Sequence, residues 1–299
     1  ASVLNDAMQG LVMLVGTFLL LFAVIHQAGG LDTAVTKLRA IDPQLVSPEG
    51  VDNVINPTFL SSFAVLVCFG VIGLPHTAVR CISYKDSKAM HRGIILGTIV
   101  VVVLMLGMHL AGALGRVILP DLTIPDRVIP TLMITVLPPM AAGVFLAAPM
   151  AAIMSTINAQ LLQSSATLIK DLYLRIAPQQ SENEARLRLL SGTITFLLGA
   201  LLLLAAWNPP DMIIWLNLLA FGGLEAVFLW PLVLGLYWSR ANAAGAISGM
   251  LAGAGSYTLL ASLNIQWGGF HPIVPSLTIS LLAFLVGNLF GRAPDAALE

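Results

Sequence analysis

Two adjacent hydroxyls, Ser155 and Thr156, sit inside an apolar run, one helical turn beyond the backbone carbonyl of Ala152. Hydroxyl and carbonyl oxygens gathered this way suit a hard cation, which takes several oxygen ligands without requiring a buried carboxylate. Their other use is local: Ser and Thr within a helix hydrogen-bond back to the preceding turn. In the same run Gly143, Ala147, Ala151, Ser155 and Ala159 recur every four residues, beside a parallel row of Ala148, Ala152 and Thr156. That double stripe of small side chains predicts close helix packing under either reading.

A second constellation is CFGVIGLPHTAVR, residues 68–80. Pro75 has no amide hydrogen, so the carbonyl of Val71 is expected to lose its helical partner, and Gly70 and Gly73 permit local unwinding. Backbone exposed at a break is tolerated in a membrane only against protein or a wet cavity, and broken helices of transporters build solute sites. Gly70, Pro75 and His76 are therefore candidate solute-binding residues; the alternative is a proline kink with His76 satisfied by a neighbouring helix. The run at 211–238 carries Asn217 and Glu225 among apolar residues, with Gly222, Gly223 and Pro231. A carboxylate there costs roughly 3 kcal/mol or more on insertion scales, so Glu225 is expected to have a role and a partner inside the bundle. That partner is either solute or a Lys, Arg or His in a structural pair. His109 and Gln160 read as polar groups of helix packing.

The elements that must position these residues are membrane helices. Hydrophobic residues make up 58% of the chain and charged residues 10%, with a mean hydropathy of +0.91, which excludes an ordinary soluble domain. Spans of ~20 apolar residues, enough to cross a bilayer, fall at about 7–28, 58–79, 93–116, 139–168, 187–206, 211–238, 243–262 and 272–291. An all-α polytopic protein with about eight transmembrane helices is expected. The longer connections are 29–57 and 117–138; the second has an apolar stretch that predicts a short helix over the mouth of the protein. Alternate loops hold Arg80, Lys85, Lys88, Arg92, Lys170, Arg175, Arg186, Arg188, Arg240 and Arg292, ten of the fourteen basic residues, against Lys37, Arg39, Arg116 and Arg127. The excess places the C-terminus in the cytoplasm.

A net charge of −1 suggests no nucleic-acid partner. Cys68 and Cys81 have no metal-ligand or disulfide spacing and read as thiols packed between helices. No nucleotide-binding, HExxH or paired-cysteine motif is present, so enzyme chemistry has no support and transport or sensing remains. A transporter-like membrane sensor is the less expected alternative, since eight residues follow Gly291 in this sequence. The opening ASVLNDAMQ has no initiator Met, basic segment or cleavage site, so the chain is expected to begin within a longer protein.

Read together, these segments resemble the solute:sodium symporter family. GLYWSRANAAGAISGMLAGAG, residues 235–255, is similar to a family signature, which Arg240, Gly245, Ala246, Gly249 and Gly253 fill; AAIMSTINAQLLQSSATLIKDLY resembles the helix that bears the sodium site. The resemblance implies Ala152, Ser155 and Thr156 as sodium ligands, and sodium as coupling ion without another cofactor. ASVLNDAMQG, with Asp6 and Gln9, resembles the start of a core helix. CFGVIGLPHTAVRCISYKDSKAMHRGIILGTIVV, FLAAPMAAIMSTINAQLLQSSAT, WLNLLAFGGLEAVFLWPLVLGLYW and NIQWGGFHPIVPSL are similar to members of the family that carry pantothenate. The implied function is sodium-coupled pantothenate uptake through a bacterial inner membrane, with another organic anion or an amino acid as the alternative solute. The implied fold is a LeuT-like inverted repeat, present in part: one transporter domain over 1–299 truncated at its N-terminus. In it 1–28 is the last helix of the first repeat, 58–238 the second repeat and 243–291 accessory helices.

Overall fold

The computed structural model describes residues 2–82, 84–179, 184–207 and 213–291. In chain order the α-helices among these residues are α1 (Ser2–Ala28), α2 (Leu31–Ile41), α3 (Pro57–Ala64), α4 (Pro75–Ile82), α5 (Ser87–Ile118), α6 (Val128–Val136) and α7 (Pro139–Phe145). They continue with α8 (Ala147–Ala166), α9 (Leu174–Ile176), α10 (Glu184–Ala205), α11 (Ile213–Tyr237), α12 (Ala243–Ser262) and α13 (Ile273–Phe290). Among the described residues seven stretches are long and apolar enough to cross a membrane: Leu4–Ala28, Ser87–Ile118, Pro139–Ile176, Glu184–Ala205, Ile213–Tyr237, Ala243–Ser262 and Ile273–Phe290. The expected span at 58–79 is not one continuous helix; its apolar part, Pro57–Gly73, is shorter and ends at the break. Arg292 and the first two residues of the span at 211–238 lie outside the described residues. Outward faces are strongly apolar, as lipid requires: Phe196 and Leu204 on α10 are 73% and 72% exposed.

The chain divides into two compact units. The first comprises Ala1–Val46 and Asp86–Pro210. Its core joins Leu20 and Val24 of α1 to Ala111 and Leu114 of α5 and to Leu132 and Met133 of α6. Glycines set the helix spacing: an added Cβ at Gly107 would meet the Thr17 methyl, and one at Gly16 would meet Ala148. The predicted stripe on α8 thus packs against α1 through Ala148 and Ala151, both buried. The connection 29–57, expected to be one of the longer loops, contains α2. Leu31, Ala34, Val35 and Leu38 have helical spacing, and Ala34 and Leu38 are buried, though eleven residues are too few to span. The short helix expected within 117–138 is α6, held in this core.

The second unit comprises Ser47–Lys85 and Asp211–Glu299. α11 runs through its centre, with α12 and α13 on one flank and the broken segment on another. Along α12 the glycines of the family-like signature lie at i, i+4 and i+8: Gly245 faces Asn288, Gly249 faces Phe284, and Gly253 faces the carbonyl of Ala226. Side-chain hydroxyls and the indole close hydrogen bonds across the seams, Trp230 Nε1 to Leu277 O at 2.8 Å, Ser280 Oγ to Gly249 O at 2.9 Å and Ser248 Oγ to Ala283 O at 2.8 Å. Asn242 caps α12 by accepting from Gly245 N at 3.0 Å, and its own amide donates to Asn288 Oδ1 at 2.8 Å. Cys68 and Cys81 are exposed, not packed between helices as the sequence suggested. Both belong to the short helical pieces around Pro75, which have fewer turns to bury.

The loop before α13 is tied to the broken segment, for His271 N donates to Ser62 Oγ at 3.0 Å. Burial holds the His271 imidazole below the ordinary histidine range, and Ile273 N donates to its Nδ1 at 3.3 Å, a bond that only an unprotonated Nδ1 accepts. In the unfolded chain this histidine takes up a proton below about pH 6.5, where the folded form resists it, so its contribution to stability is complete above that pH and lost as pH falls. Acidification from neutrality is expected to lower the thermal midpoint of the wild type more than that of His271→Gln, measured by melting in detergent. Equal losses would exclude His271 as the source.

Candidate functional site

The oxygen cluster of the first unit is assembled by antiparallel packing of α1 and α8. Gly16 meets Ala148 and, further along, Ser155 Oγ donates to Asp6 Oδ1 at 3.3 Å. Thr156 Oγ1 donates to Ala152 O at 3.4 Å, a long bond to the preceding turn, as the local reading of these hydroxyls anticipates. Ala152, Ser155 and Thr156 are thus brought together, with Ser155 and Asp6 half-buried and Ala152 and Thr156 exposed. Gln9, three residues after Asp6, is buried and its Oε1 has no hydrogen-bond partner among the described residues. Two carboxamide or carboxylate side chains, two hydroxyls and a main-chain carbonyl therefore lie along one helix pair. The family resemblance implies Asp6 and Gln9 at the start of a core helix, without joining them to Ser155. The usable signal was their three-residue spacing, which puts two polar groups on one face of an apolar helix.

In the second unit the break runs over three conformations. A π-helical turn covers Val65–Phe69 and a 3₁₀ turn covers Gly70–Gly73. Leu74 is then extended (φ −79°, ψ 116°) before Pro75 opens α4, the first-turn position where a missing N–H is harmless. The carbonyl of Val71, which Pro75 cannot serve, accepts instead from Leu74 N at 3.1 Å. The half-buried His76 ring lies 6.2 Å from that of Phe221 on α11. Gly70 backs directly onto the Glu225 carboxyl, and an added Cβ at Gly73 would come within 2.9 Å of the Leu229 main chain. Glu225 is 0% exposed, and neither of its oxygens has a hydrogen-bond partner among the described residues. Of the two partners expected, solute or a basic side chain, no basic side chain bonds it among the described residues. Gly70 and Glu225 are brought into contact, Pro75 and His76 begin the next helix, and Asn217 is exposed on α11 without a hydrogen bond among the described residues.

Both constellations fall inside one family match, for the profile of the sodium:solute symporter family covers residues 1–253. The chain belongs to the sodium:solute symporter family. Among curated relatives, the sodium/pantothenate symporter of Escherichia coli (strain K12) is 75% identical over 297 residues, which cover 99% of this chain and 62% of that protein. The sodium/pantothenate symporter of Haemophilus influenzae is 60% identical over 292 residues, 98% of this chain and 60% of the relative. A sodium/proline symporter of Staphylococcus aureus (strain bovine RF122 / ET3-1) is 29% identical over 314 residues, covering 99% of this chain and 59% of that relative. The chain spans about six tenths of the length of these relatives. The family is one of symporters rather than of enzymes, and the apolar helices of this chain fit a lipid bilayer.

Proposed function

We propose that the protein carrying this chain is a multi-pass symporter of the bacterial inner membrane that couples pantothenate uptake to sodium entry. Coupling is carried by one observation, the Ser155 hydroxyl set against the Asp6 carboxylate beside the Ala152 carbonyl and Thr156 hydroxyl. A hard monovalent cation favours such oxygens, and a nearby carboxylate offsets its charge. Ala152, Ser155 and Thr156 are the proposed ligands, with Asp6 alongside. The weak bonds of 3.3 and 3.4 Å that these hydroxyls make are readily exchanged for an ion. Pantothenate is proposed from the two relatives whose names carry it, and their 75% and 60% identity against 29% for the sodium/proline symporter favours it over an amino acid.

The architecture proposed is a LeuT-like inverted repeat with about eight crossings in this chain. α1 ends the first repeat, residues 58–238 form the second, and 243–291 are accessory. The broken segment supports this, since discontinuous helices open such repeats and line their solute sites. Gly70, Pro75, His76, Asn217 and Glu225 are the candidate solute residues. The excess of Lys and Arg in alternate loops supports a cytoplasmic C-terminus. Coupling arises because sodium and solute each favour the same outward-facing state, so each raises the other's affinity by the same factor.

The experiment is uptake of labelled pantothenate by the reconstituted protein with and without an inward sodium gradient. Uptake is expected to rise with the gradient, and Ser155→Ala or Thr156→Ala to raise the sodium concentration for half-activation about tenfold, the effect of losing ~1.4 kcal/mol from one ligand. Equal uptake with and without sodium sinks the coupling reading. Unchanged half-activation in both variants returns the two hydroxyls to packing.

A further inference from the structure

The second unit has two adjoining cavities, of ≈ 170 and ≈ 350 Å³, that share Trp215, Leu218, Gln266 and His271. They occupy one end of the unit, where α3, α11 and α13 begin and α12 ends. We propose that this paired cavity is a second binding site, an antechamber for a small aliphatic carboxylate bearing amide or hydroxyl groups, the class to which pantothenate belongs. The inference rests on the functional reading above, for it names a separate place where the same solute is held.

The chemical class follows from which polar groups are already used. Ser62 Oγ donates to Thr58 O and accepts from His271 N, and Tyr257 OH donates to Leu218 O, so both hydroxyls are occupied. Asn56 Oδ1 accepts from Phe59 N and from Thr58 Oγ1, while its Nδ2 has no partner among the described residues. His271 accepts at Nδ1, so its proton resides on Nε2, which likewise has no partner among them. The side-chain amides of Gln266 and Asn264, which line the larger cavity, make no hydrogen bond among the described residues. The balance left is rich in N–H donors: it suits an acceptor such as a carboxylate or carbonyl. Among the described residues no charged side chain lines either cavity, so a polyanion finds nothing there to neutralise it and a bare cation no carboxylate. Trp215, Phe59 and Leu218 supply apolar walls for an aliphatic body, and a combined volume of this order matches a small-molecule site of ~300–1,000 Å³. Tyr257 connects the antechamber to the helix break, since it walls the larger cavity and also covers Gly222, three residues before Glu225.

Gln266, exposed at the shared wall, gives a direct readout. In the reconstituted full protein freed of other reactive cysteines, Gln266→Cys is labelled with a maleimide while pantothenate is titrated without sodium. Pantothenate is expected to slow labelling about tenfold at ten times its half-protecting concentration, the free fraction that mass action leaves. Ala241→Cys, at the opposite end of α12, should be unaffected. Asn56→Asp keeps the capping oxygen but replaces the Nδ2 donor with negative charge, and it should raise the half-protecting concentration at least about tenfold. His271→Gln should raise it less. Protection must survive Ser155→Ala, because direct occupancy does not pass through the cation site. Absence of protection in protein that transports pantothenate overturns the proposal, as does protection that disappears with Ser155→Ala. Protein that binds and transports no pantothenate at all instead fails the functional reading, which uptake measures separately.

Discussion

Gly253→Ala is expected to lower the stability of the second unit by about 3 kcal/mol, the upper end of what overpacking a well-filled seam costs. The added methyl would fall on the main-chain carbonyl of Ala226 and within 3.2 Å of Ser280 Oγ. A side chain in that position could rotate away, but a carbonyl fixed in the middle of α11 cannot. The only relief is to push α12 off α11, and the hydrogen bond from Ser280 to Gly249 would go with it. Gly255, two residues on, meets nothing within 4 Å, so Gly255→Ala is the matched control. It should be neutral or slightly stabilising, because alanine is the better helix former. Thermal melting of both variants in detergent decides the matter: a Gly253→Ala protein as stable as Gly255→Ala would mean that α11 and α12 do not meet at this seam.

That seam also explains what could be read from the sequence. The signature over 235–255 looked like a family label, and three of its glycines, Gly245, Gly249 and Gly253, prove to be places where neighbouring elements come close. Apolar run lengths and the glycines and proline around residue 75 were local properties, so most spans and the break were legible. α2 was missed because its helical spacing is confined to eleven residues with little hydrophobicity, and a search for bilayer-length runs passes over it. The fate of the Val71 carbonyl was missed for a different reason. Losing its partner at Pro75 is a local inference, whereas recapture by Leu74 needs the chain to turn into a 3₁₀ geometry.

The candidate site was legible on one side only. Ser155 and Thr156 announce themselves by spacing, but Ser155 meets Asp6 across 149 residues, and no pattern within a helix encodes that pairing. The antechamber is further from the reach of sequence. It combines the end of one connection, the start of α11 and the loop before α13, and its polar balance depends on which donors are already spent. Glu225 was legible as a costly carboxyl, yet its surroundings were not: the sequence left open solute or a basic side chain as its partner, and what lies against it is the bare α-carbon of a glycine.

This contact makes the strongest claim about the helix break. Gly70→Ala is expected to displace the 3₁₀ turn from α11, since the new methyl would occupy the space of the Glu225 carboxyl. Glu225→Ala removes the obstacle and loses no hydrogen bond among the described residues, for neither oxygen makes one. The two changes should therefore compensate. With each single variant destabilised, the double variant Gly70→Ala/Glu225→Ala should be more stable than the sum of the singles predicts, with a coupling of about 1–3 kcal/mol of the kind that touching residues show. Glu225→Gln keeps the shape and should leave Gly70→Ala as damaging as in the wild type, which separates space from charge. Melting midpoints of the four-member cycle supply the test. Strict additivity would mean that Glu225 does not fill the notch at Gly70, and the break would then rest on its other contacts with α11, such as Gly73 against Leu229 and Phe69 against Trp230.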